Sequence, residues 1–318
     1  MEILTSVDRE KIAALRREDH FFWLDLMDPT PQDLDMLGEM LGLHPLALED
    51  TREWNQRPKL DRYEHHVLLV FYSARNCKSQ EAQRDFAPLE VHIYISGGFI
   101  ITARHEPCSE LDALHDELMP EKTDIEEYLV YRILDGLTDA FYPVIDAIEK
   151  RVDTIEREVL DRPRQRHLEV IYRLKQEVHD LYRRVSPQRD LFQTTGADVI
   201  GSLPGLSRGS REYLRDVADH IAQVVGELTR QNEDLVALTA TYFNANANRL
   251  NRTASRLSVA GTFFIAWTLV TGFFGQNFGW LVDHINGEGR FLAYGIGGLV
   301  IPSIALGAYF WRRREDWL

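Results

Sequence analysis

Two long apolar segments near the C-terminal end dominate the pattern of hydrophobic and polar positions along this chain. The first covers residues 257–274 and the second covers residues 291–311, and neither contains a formally charged residue. Roughly 20 apolar residues are what a helix needs to cross the hydrocarbon core of a bilayer. The pattern therefore predicts two transmembrane helices joined by an outer loop, in preference to a buried hairpin of a soluble core.

A long helical pattern precedes the first predicted span. Apolar spacings of three and four, typical of a coiled-coil seam, run through Leu214, Val217, Ile221, Val224, Leu228, Gln231, Leu235, Leu238, Tyr242 and Ala245. No helix breaker follows, so the pattern predicts one helix from about Ser210 to Phe274, roughly 95 Å long at 1.5 Å per residue. A rod of this length needs partners, either the preceding helices or neighbouring copies of itself.

The hydrophobic pattern of the N-terminal third consists of short segments, as expected for a mixed α/β domain. Gly97 and Gly98 predict a hairpin turn, and runs of β-branched and aromatic residues predict strands at 21–26, 67–72, 89–95 and 99–103. From about residue 124 the spacing becomes helical, with a break at 161–163 and a turn at 194–209. We therefore divide the chain into a cytosolic α/β domain (1–122), a long helical hairpin (123–209), a stalk helix (210–256), the first transmembrane helix (257–277), an outer loop (278–290), the second transmembrane helix (291–311) and a basic tail (312–318).

One face of the first predicted span is small and polar, and the opposite face is apolar and mostly aromatic. The small face comprises Ala247, Asn251, Ala254, Ser258, Gly261, Ile265, Thr268 and Gly272, and the opposite face comprises Phe263, Trp267, Val270 and Phe274. Such a small face is typical of a pore lining, where hydroxyls and amides contact a hydrated ion, or of a close packing surface between membrane helices. Periodicity leaves both open. Because two helices cannot enclose a pore, the pore hypothesis requires a ring of subunits.

Basic residues flank the inner ends of both predicted spans. Three arginines precede the first span and three follow the second: Arg249, Arg252, Arg256, Arg312, Arg313 and Arg314. Basic residues stay on the cytoplasmic side of a membrane protein. We therefore expect insertion into the inner (plasma) membrane, with the lipid bilayer as a partner, both termini in the cytoplasm and the loop outside.

Composition narrows the classes of function. The net charge of −14, from 36 Lys and Arg against 50 Asp and Glu, argues against nucleic acid as a partner. The sequence contains no Gly-rich phosphate loop, no Gly-x-Ser-x-Gly elbow and no His-Glu-x-x-His zinc motif, so an enzyme is disfavoured. Cys77 and Cys108 form no Cys-x-x-Cys unit, and we expect free thiols in a reducing compartment.

Several motifs resemble the CorA-type divalent metal transporters, a family that includes the ZntB branch. Leu43–Asp50 followed by Gln56–Leu60 is similar to the N-terminal signature of the family, and Arg215-Asp216-Val217 and Asn251-Arg252 are similar to its stalk. The most specific motif is Gly275-Gln276-Asn277 directly after the first span, where the family carries Gly-x-Asn. The resemblance covers nearly the whole length.

The resemblance implies a fold and a set of functional residues. The fold would be a funnel-shaped homopentamer, with an α+β cytosolic domain built as an α/β/α sandwich, long stalk helices and a C-terminal two-helix transmembrane hairpin. The selectivity element at the outer mouth would be Gly275, Gln276 and Asn277, and the pore lining would be Asn251, Leu257, Ser258, Gly261, Ile265, Thr268 and Gly272. Asp216 falls on an acidic position that senses cytosolic metal between subunits, so Asp216 and Asn277 are the expected metal contacts.

The expected cargo is Mg²⁺, with Co²⁺ and Ni²⁺, entering under the control of cytosolic metal and without a prosthetic group. Five copies of Asn277 would hydrogen-bond the water shell that Mg²⁺ gives up reluctantly. Gln276 replaces the usual methionine of the magnesium members, so Zn²⁺ transport of the ZntB type, passive or proton-coupled, is an alternative. A second alternative is a non-conducting, membrane-tethered coiled-coil adaptor.

Overall fold

The computed structural model describes residues 1–76, 85–117, 125–194, 210–276 and 279–312. The chain forms two compact units. The α/β unit comprises Met1–Glu158 and Arg164–Thr239, and the membrane unit comprises Val159–Pro163 and Ala240–Leu318. Four features of the sequence lie outside the described residues, namely Cys77, the turn beyond Thr194, Asn277, and the arginines that follow Arg312.

A six-stranded mixed sheet forms the centre of the α/β unit, in the order β1-β2-β6-β5-β4-β3. Its strands are β1 (Glu2–Leu4), β2 (Phe22–Met27), β3 (Lys59–Arg62), β4 (Val67–Asn76), β5 (Phe86–Ser96) and β6 (Phe99–Arg104). The pairs β1–β2 and β2–β6 are parallel and the other pairs are antiparallel. The four predicted strands are confirmed. The edge strands β1 and β3 were not predicted, because three or four residues are too few to show a period.

Seven helices of the described residues precede the long stalk. They are α1 (Arg9–Arg17), α2 (Pro31–Leu41), α3 (Pro45–Glu53), α4 (Ser109–Glu117), α5 (Ile125–Asp139), α6 (Phe141–Asp161) and α7 (Gln165–Thr194). The start of α2 is fixed by a capping box, in which the Asp33 N–H donates to Thr30 Oγ1 at 3.2 Å and the Thr30 N–H donates to Asp33 Oδ2 at 2.9 Å. Pro31 occupies its first turn, where a missing N–H costs nothing.

Helices cover both faces of the sheet. On one face, α1, α2 and α3 share a buried core with alternate strand residues such as Leu24, Val70 and Tyr94. On the other face, α5 and α7 contact β4 and β5. The buried Gln188 amide of α7 accepts from the Tyr72 N–H at 2.7 Å and donates to the Tyr72 carbonyl at 3.2 Å. The α/β/α sandwich implied by the resemblance is therefore confirmed.

The next helix, α8, runs from Ser210 to Phe274 without interruption, as the periodicity predicts. Its seam residues in the α/β unit, including Leu214, Val224 and Leu235, are at most 3 % exposed within a single chain. Tyr213 of α8 contacts Tyr131 of α5, and Arg230 of α8 pairs with Glu149 of α6 at 3.4 Å, among other contacts. The preceding helices, rather than neighbouring copies, therefore cover this part of the seam.

The membrane unit contains the end of α8 and the second span. After α8 come α9 (Gly279–His284), α10 (Glu288–Phe291), a π-helical turn (Leu292–Ile296) and α11 (Gly297–Arg312). Two helices, Glu212–Phe274 and Glu288–Arg312, are long and apolar enough to cross a membrane, and their apolar windows are 0 % buried. The two apolar helices are compatible with membrane spans. The π-helical turn was not predicted, because one turn of altered hydrogen bonding leaves no mark on hydrophobic spacing.

A buried ion pair connects β2 and β6 to α4. Asp25 and Arg104 are 4 % and 3 % exposed, and the Arg104 guanidinium donates to Asp25 and, at 2.6 Å, to Asp112 Oδ1. Thr102 Oγ1 also donates to Asp25 Oδ1 at 2.6 Å. Burial raises the pKa of Asp25, but the hydrogen bond from His115 and the charge of Arg104 outweigh burial and lower that pKa below its ordinary value.

Removing one partner of this pair should destabilise the fold. We expect Arg104→Met to lower the free energy of unfolding by about 3–5 kcal/mol, because Asp25 is left buried without a counter-charge. The exposed pair of Arg52 with Asp35 provides the control, and Arg52→Met should cost less than about 1 kcal/mol. The measurement is thermal unfolding of the full chain in detergent, followed by circular dichroism across pH.

The lowered pKa of Asp25 sets the pH dependence of this difference. Stability from the carboxylate is present above its unfolded pKa and is lost as pH falls through the folded pKa. The gap between the wild type and Arg104→Met should therefore shrink in acid. Equal melting temperatures for Arg104→Met and Arg52→Met at neutral pH would contradict the assignment.

Candidate functional site

The first span of α8 contacts the second span through its aromatic face. Trp267 Nε1 donates to Ser303 Oγ of α11 at 2.7 Å, and this hydrogen bond connects two otherwise apolar helices. A Cβ atom added at Gly298 of α11 would lie 3.3 Å from both Val270 and Phe274, so the helices approach closely there. The face that contacts α11 is therefore the predicted aromatic face, comprising Phe263, Trp267, Val270 and Phe274.

Among the residues that the structure describes, none covers the small face of the first span. Of the predicted pore-lining residues, Leu257 and Ile265 are each 72 % exposed. A Cβ atom added at Gly261 or Gly272 would meet no atom within 4 Å in the described part of the chain. Asn251, Ser258 and Thr268 are likewise exposed. The structure thus gathers all seven residues on the uncovered surface of one helix.

An exposed apolar stripe overlaps this surface. It consists of Phe243, Leu250, Leu257 and Phe264, which are seven residues apart and are 52 %, 62 %, 72 % and 64 % exposed. Small residues lie between them at Ala247, Ala254, Gly261 and Thr268. A seven-residue repeat of apolar side chains separated by small ones is typical of a seam between associating helices.

A tight turn at Gly275 ends α8 where the predicted selectivity element begins. The Gly275 N–H donates to the Thr271 carbonyl at 2.9 Å, and the Gln276 N–H donates to the Phe273 carbonyl at 3.3 Å. A Cβ atom at Gly275 would lie only 3.1 Å from the Thr271 oxygen, so glycine relieves a close approach. Gln276 is exposed. Asn277 lies outside the described residues, and its metal contact stays a prediction.

A second candidate site lies in the α/β unit, between α5 and α8. Asp135, Asp139 and His220 each offer one ligand atom, and these atoms all lie within 4.8 Å of one another. His220 Nδ1 is 3.1 Å from Asp135 Oδ1. Two carboxylates and one imidazole form a donor set that suits divalent cations, with oxygen favoured by Mg²⁺ and nitrogen by Zn²⁺ or Ni²⁺.

Asp216, the predicted sensing residue, borders this cluster. Its Oδ1 lies 3.9 Å from His220 Nε2, and its Oδ2 accepts from the Tyr131 hydroxyl at 3.1 Å. Burial, followed by the charge of Asp135, raises the pKa of Asp139. Burial and the same negative neighbours raise the pKa of Tyr131 to about 12. The site therefore concentrates negative charge that a cation would neutralise.

Asp216 was predicted as a metal contact, but Asp135 and Asp139 were not predicted as its neighbours. These residues lie about 80 positions away in the chain, so the contact depends on how α5 packs against α8. One signal was present in the sequence. Asp135 and Asp139, like Asp216 and His220, are four residues apart, and that spacing places both members on one face of a helix.

The chain is similar in sequence to known metal transporters. A family model described as CorA-like Mg²⁺ transporter protein matches residues 18–314. The cobalt/magnesium transport protein CorA of Thermotoga maritima is 23 % identical, over 98 % of this chain and 88 % of that protein. The zinc transport protein ZntB of Yersinia enterocolitica is 20 % identical, over 99 % of this chain and 92 % of that protein.

The fold is similar to that of two solved full-length structures. The complete structure of the CorA magnesium transporter from Methanocaldococcus jannaschii aligns with a TM-score of 0.76 at 19 % identity, over 93 % of this chain and 91 % of that one. The full-length CmaX protein aligns with a TM-score of 0.68 at 23 % identity, over 93 % and 88 % of the two chains. Because the family model spans nearly the whole sequence, this chain belongs to the CorA-like Mg²⁺ transporter protein family, whose members are divalent-cation transporters and not enzymes.

Proposed function

We propose that this protein is a homopentameric channel that admits Mg²⁺, and also Co²⁺ and Ni²⁺, through a pore lined by the first span of each subunit. The observation that carries the proposal is the exposed apolar stripe of Phe243, Leu250, Leu257 and Phe264. No other helix of the described residues covers this stripe, and two spans cannot enclose a pore. Copies of the same helix are the partner that a heptad stripe fits. The stoichiometry of five subunits is proposed from the resemblance to CorA-type proteins.

The uncovered small face suits a pore for a hydrated ion. Gly261 and Gly272 leave room at the helix surface, and Thr268 adds a hydroxyl that is already anchored to the Phe264 carbonyl at 2.7 Å. The anchored oxygen can still accept a hydrogen bond from the water shell of an ion. Mg²⁺ keeps several of its waters, so a lumen that contacts water rather than bare metal suits its passage.

The selectivity element is proposed at Gly275, Gln276 and Asn277. Rings of neutral amides would accept hydrogen bonds from a hydrated cation at the outer mouth without holding it as tightly as carboxylates would. The arginines beside the inner ends of the spans support cytoplasmic termini and insertion into the inner membrane. Inward flow then follows the membrane potential, which contributes about 4.6 kcal/mol per 100 mV to a divalent ion.

Gating is proposed at the cluster of Asp135, Asp139 and His220, with Asp216 beside it. A cation bound there would hold α5 against α8 by neutralising their carboxylates. Loss of the cation would leave Asp135, Asp139 and Asp216 to repel one another, which favours a rearranged helix packing. High cytosolic metal would thus favour the closed channel and low metal the open one.

Zn²⁺ transport of the ZntB type is the second candidate function. The similarity to the Yersinia enterocolitica zinc transporter supports it, as does Gln276 in place of methionine. The imidazole of His220 is also a better ligand for Zn²⁺ than for Mg²⁺. The coupling of Zn²⁺ entry to a proton gradient would distinguish this function from a passive Mg²⁺ channel.

A bulky side chain on the small face should block the pore. We expect Gly261→Phe to reduce Mg²⁺ entry into proteoliposomes to about the level of empty liposomes, because five rings would fill the lumen. Gly307→Phe is the matched control, since a Cβ atom at Gly307 in the second span also meets open space. Full flux through a correctly assembled Gly261→Phe protein would contradict the pore and favour an adaptor.

The ion and its driving force can be tested at Asn277. We expect voltage-driven Mg²⁺ entry to fall by about tenfold or more in Asn277→Ala, because each subunit loses a hydrogen bond to the charged, hydrated ion. Asn286→Ala, an exposed change in the same loop, is the control. Flux is measured separately for Mg²⁺, Zn²⁺, Co²⁺ and Ni²⁺, with and without a pH gradient. Zn²⁺ entry that follows the pH gradient would instead support the ZntB type.

Removing a ligand from the gating cluster should weaken inhibition by internal metal. We expect Asp139→Asn to raise the internal Mg²⁺ concentration for half-inhibition by about tenfold or more, since one donor and one charge are lost. Asp219→Asn is the control, because Asp219 is exposed on the same helix as His220 but does not belong to the cluster. Identical inhibition curves for the two variants would refute the gating site.

A further inference from the structure

Three arginines form a stripe at the inner end of the first span. Arg249, Arg252 and Arg256 have spacings of three and four, so they lie on one face of α8, and all three are exposed. Successive residues of an α-helix are rotated by about 100° around its axis. Viewed down the axis of α8, the three arginines therefore point roughly 165° away from the mean direction of the proposed pore-lining residues. It coincides with the face that packs on α11 deeper in the span. The arginine stripe therefore faces away from the proposed pore.

Two other segments bring further arginines to the membrane unit. Arg249 Nη1 donates to the Pro163 carbonyl at 3.3 Å, so the connection between α6 and α7, which carries the exposed Arg162, lies beside the stripe. The rings of Phe263 and Phe310 are 6.3 Å apart, which places the end of α11, with the exposed Arg312, beside the start of the first span.

These arginines have no carboxylate partner among the described residues. Arg252, Arg256, Arg162 and Arg312 form no ion pair there, and Arg249 contacts a backbone carbonyl only. Elsewhere on the same helix the situation is different, because Arg230 pairs with Glu149, Glu227 and Asp234. In a chain with a net charge of −14, a group of arginines that forms no ion pair within the described part of the chain is suited to bind negative charge on another molecule.

We propose that the arginine stripe of Arg249, Arg252 and Arg256 binds the phosphate groups of anionic phospholipids in the leaflet at the inner end of the spans. Leu257, the first residue of the apolar segment, directly follows Arg256, so the three arginines lie within eight residues, or about 12 Å along the helix, of the predicted hydrocarbon boundary. Arginine can lay its methylene stem along apolar surface and direct its guanidinium to the head groups. Its planar fork also matches two phosphate oxygens.

The outward direction of the stripe rests on the proposed pore face, but lipid binding is measured without flux. The probe is the melting temperature of the full-length protein in neutral detergent, titrated with phosphatidylglycerol. We expect phosphatidylglycerol to raise the melting temperature of the wild type at low ionic strength. Each arginine near an anionic surface changes binding by roughly fivefold, so Arg252→Gln with Arg256→Gln should raise the half-saturating lipid concentration by roughly thirtyfold. High salt should weaken the wild-type response as well.

Two further double variants make the test specific. Arg9→Gln with Arg17→Gln removes two exposed arginines from α1 of the α/β unit and should leave the lipid response unchanged. Arg252→Lys with Arg256→Lys keeps the charge and should keep most of the response. If the double glutamine variant fails to assemble, the single Arg252→Gln variant should still show roughly a fivefold shift.

Three outcomes would overturn the inference. They are an unchanged lipid response in the double glutamine variant, an equal response to phosphatidylcholine, and an equal response to inorganic phosphate, which would indicate a site for free anions. Flux from the same preparations separates this inference from the proposed function. Normal flux without a lipid response would refute lipid binding and leave the channel proposal intact. A normal lipid response without flux would refute the channel and leave lipid binding intact.

Discussion

The structure depends on how one helix, α8, distributes its apolar side chains among different partners. In the α/β unit its seam is buried by the preceding helices of the same chain, so little apolar surface is left there for other copies. In the membrane unit one face contacts α11 through the hydrogen bond between Trp267 and Ser303, and the other face stays uncovered. Burial within the chain thus leaves the stripe from Phe243 to Phe264 as the surface through which copies can associate.

Charge is divided between the two units in a way that matches their surroundings. The α/β unit gathers Asp135, Asp139 and Asp216 around one histidine, where the proposed cation would neutralise their mutual repulsion. The described part of the membrane unit carries most of its charge as arginines near the apolar segments. The first arrangement suits the proposed metal ion, whereas the second suits the proposed contact with anionic lipid head groups. Each unit therefore carries charge opposite in sign to that of its proposed partner.

Much of this fold could be predicted because hydrophobic spacing records burial. The bounds of α8, the four central strands and the two apolar segments all leave long periodic patterns. Short elements leave none, which is why β1, β3 and the π-helical turn were missed. Only Asp216 of the candidate metal site was predicted. The apolar seam of α8 predicts which face of the helix is buried, but it does not predict which residues of α5 lie beside Asp216. Spacing alone left open which face of the first span packs on another helix, and the contact of Trp267 with Ser303 shows that the aromatic face packs on α11.

The π-helical turn at Leu292–Ile296 has a consequence for how this family member can evolve. A π turn is equivalent to one extra residue inserted into an α-helix, and it rotates the preceding segment by roughly 100° relative to the following one. Such a turn lets the segment that precedes Leu292 change its length by a residue while Gly298 and Ser303, which follow the turn, keep their register against α8. The length of the apolar helix can thus change by one residue, about 1.5 Å, without repacking the interface between the two helices of the hairpin.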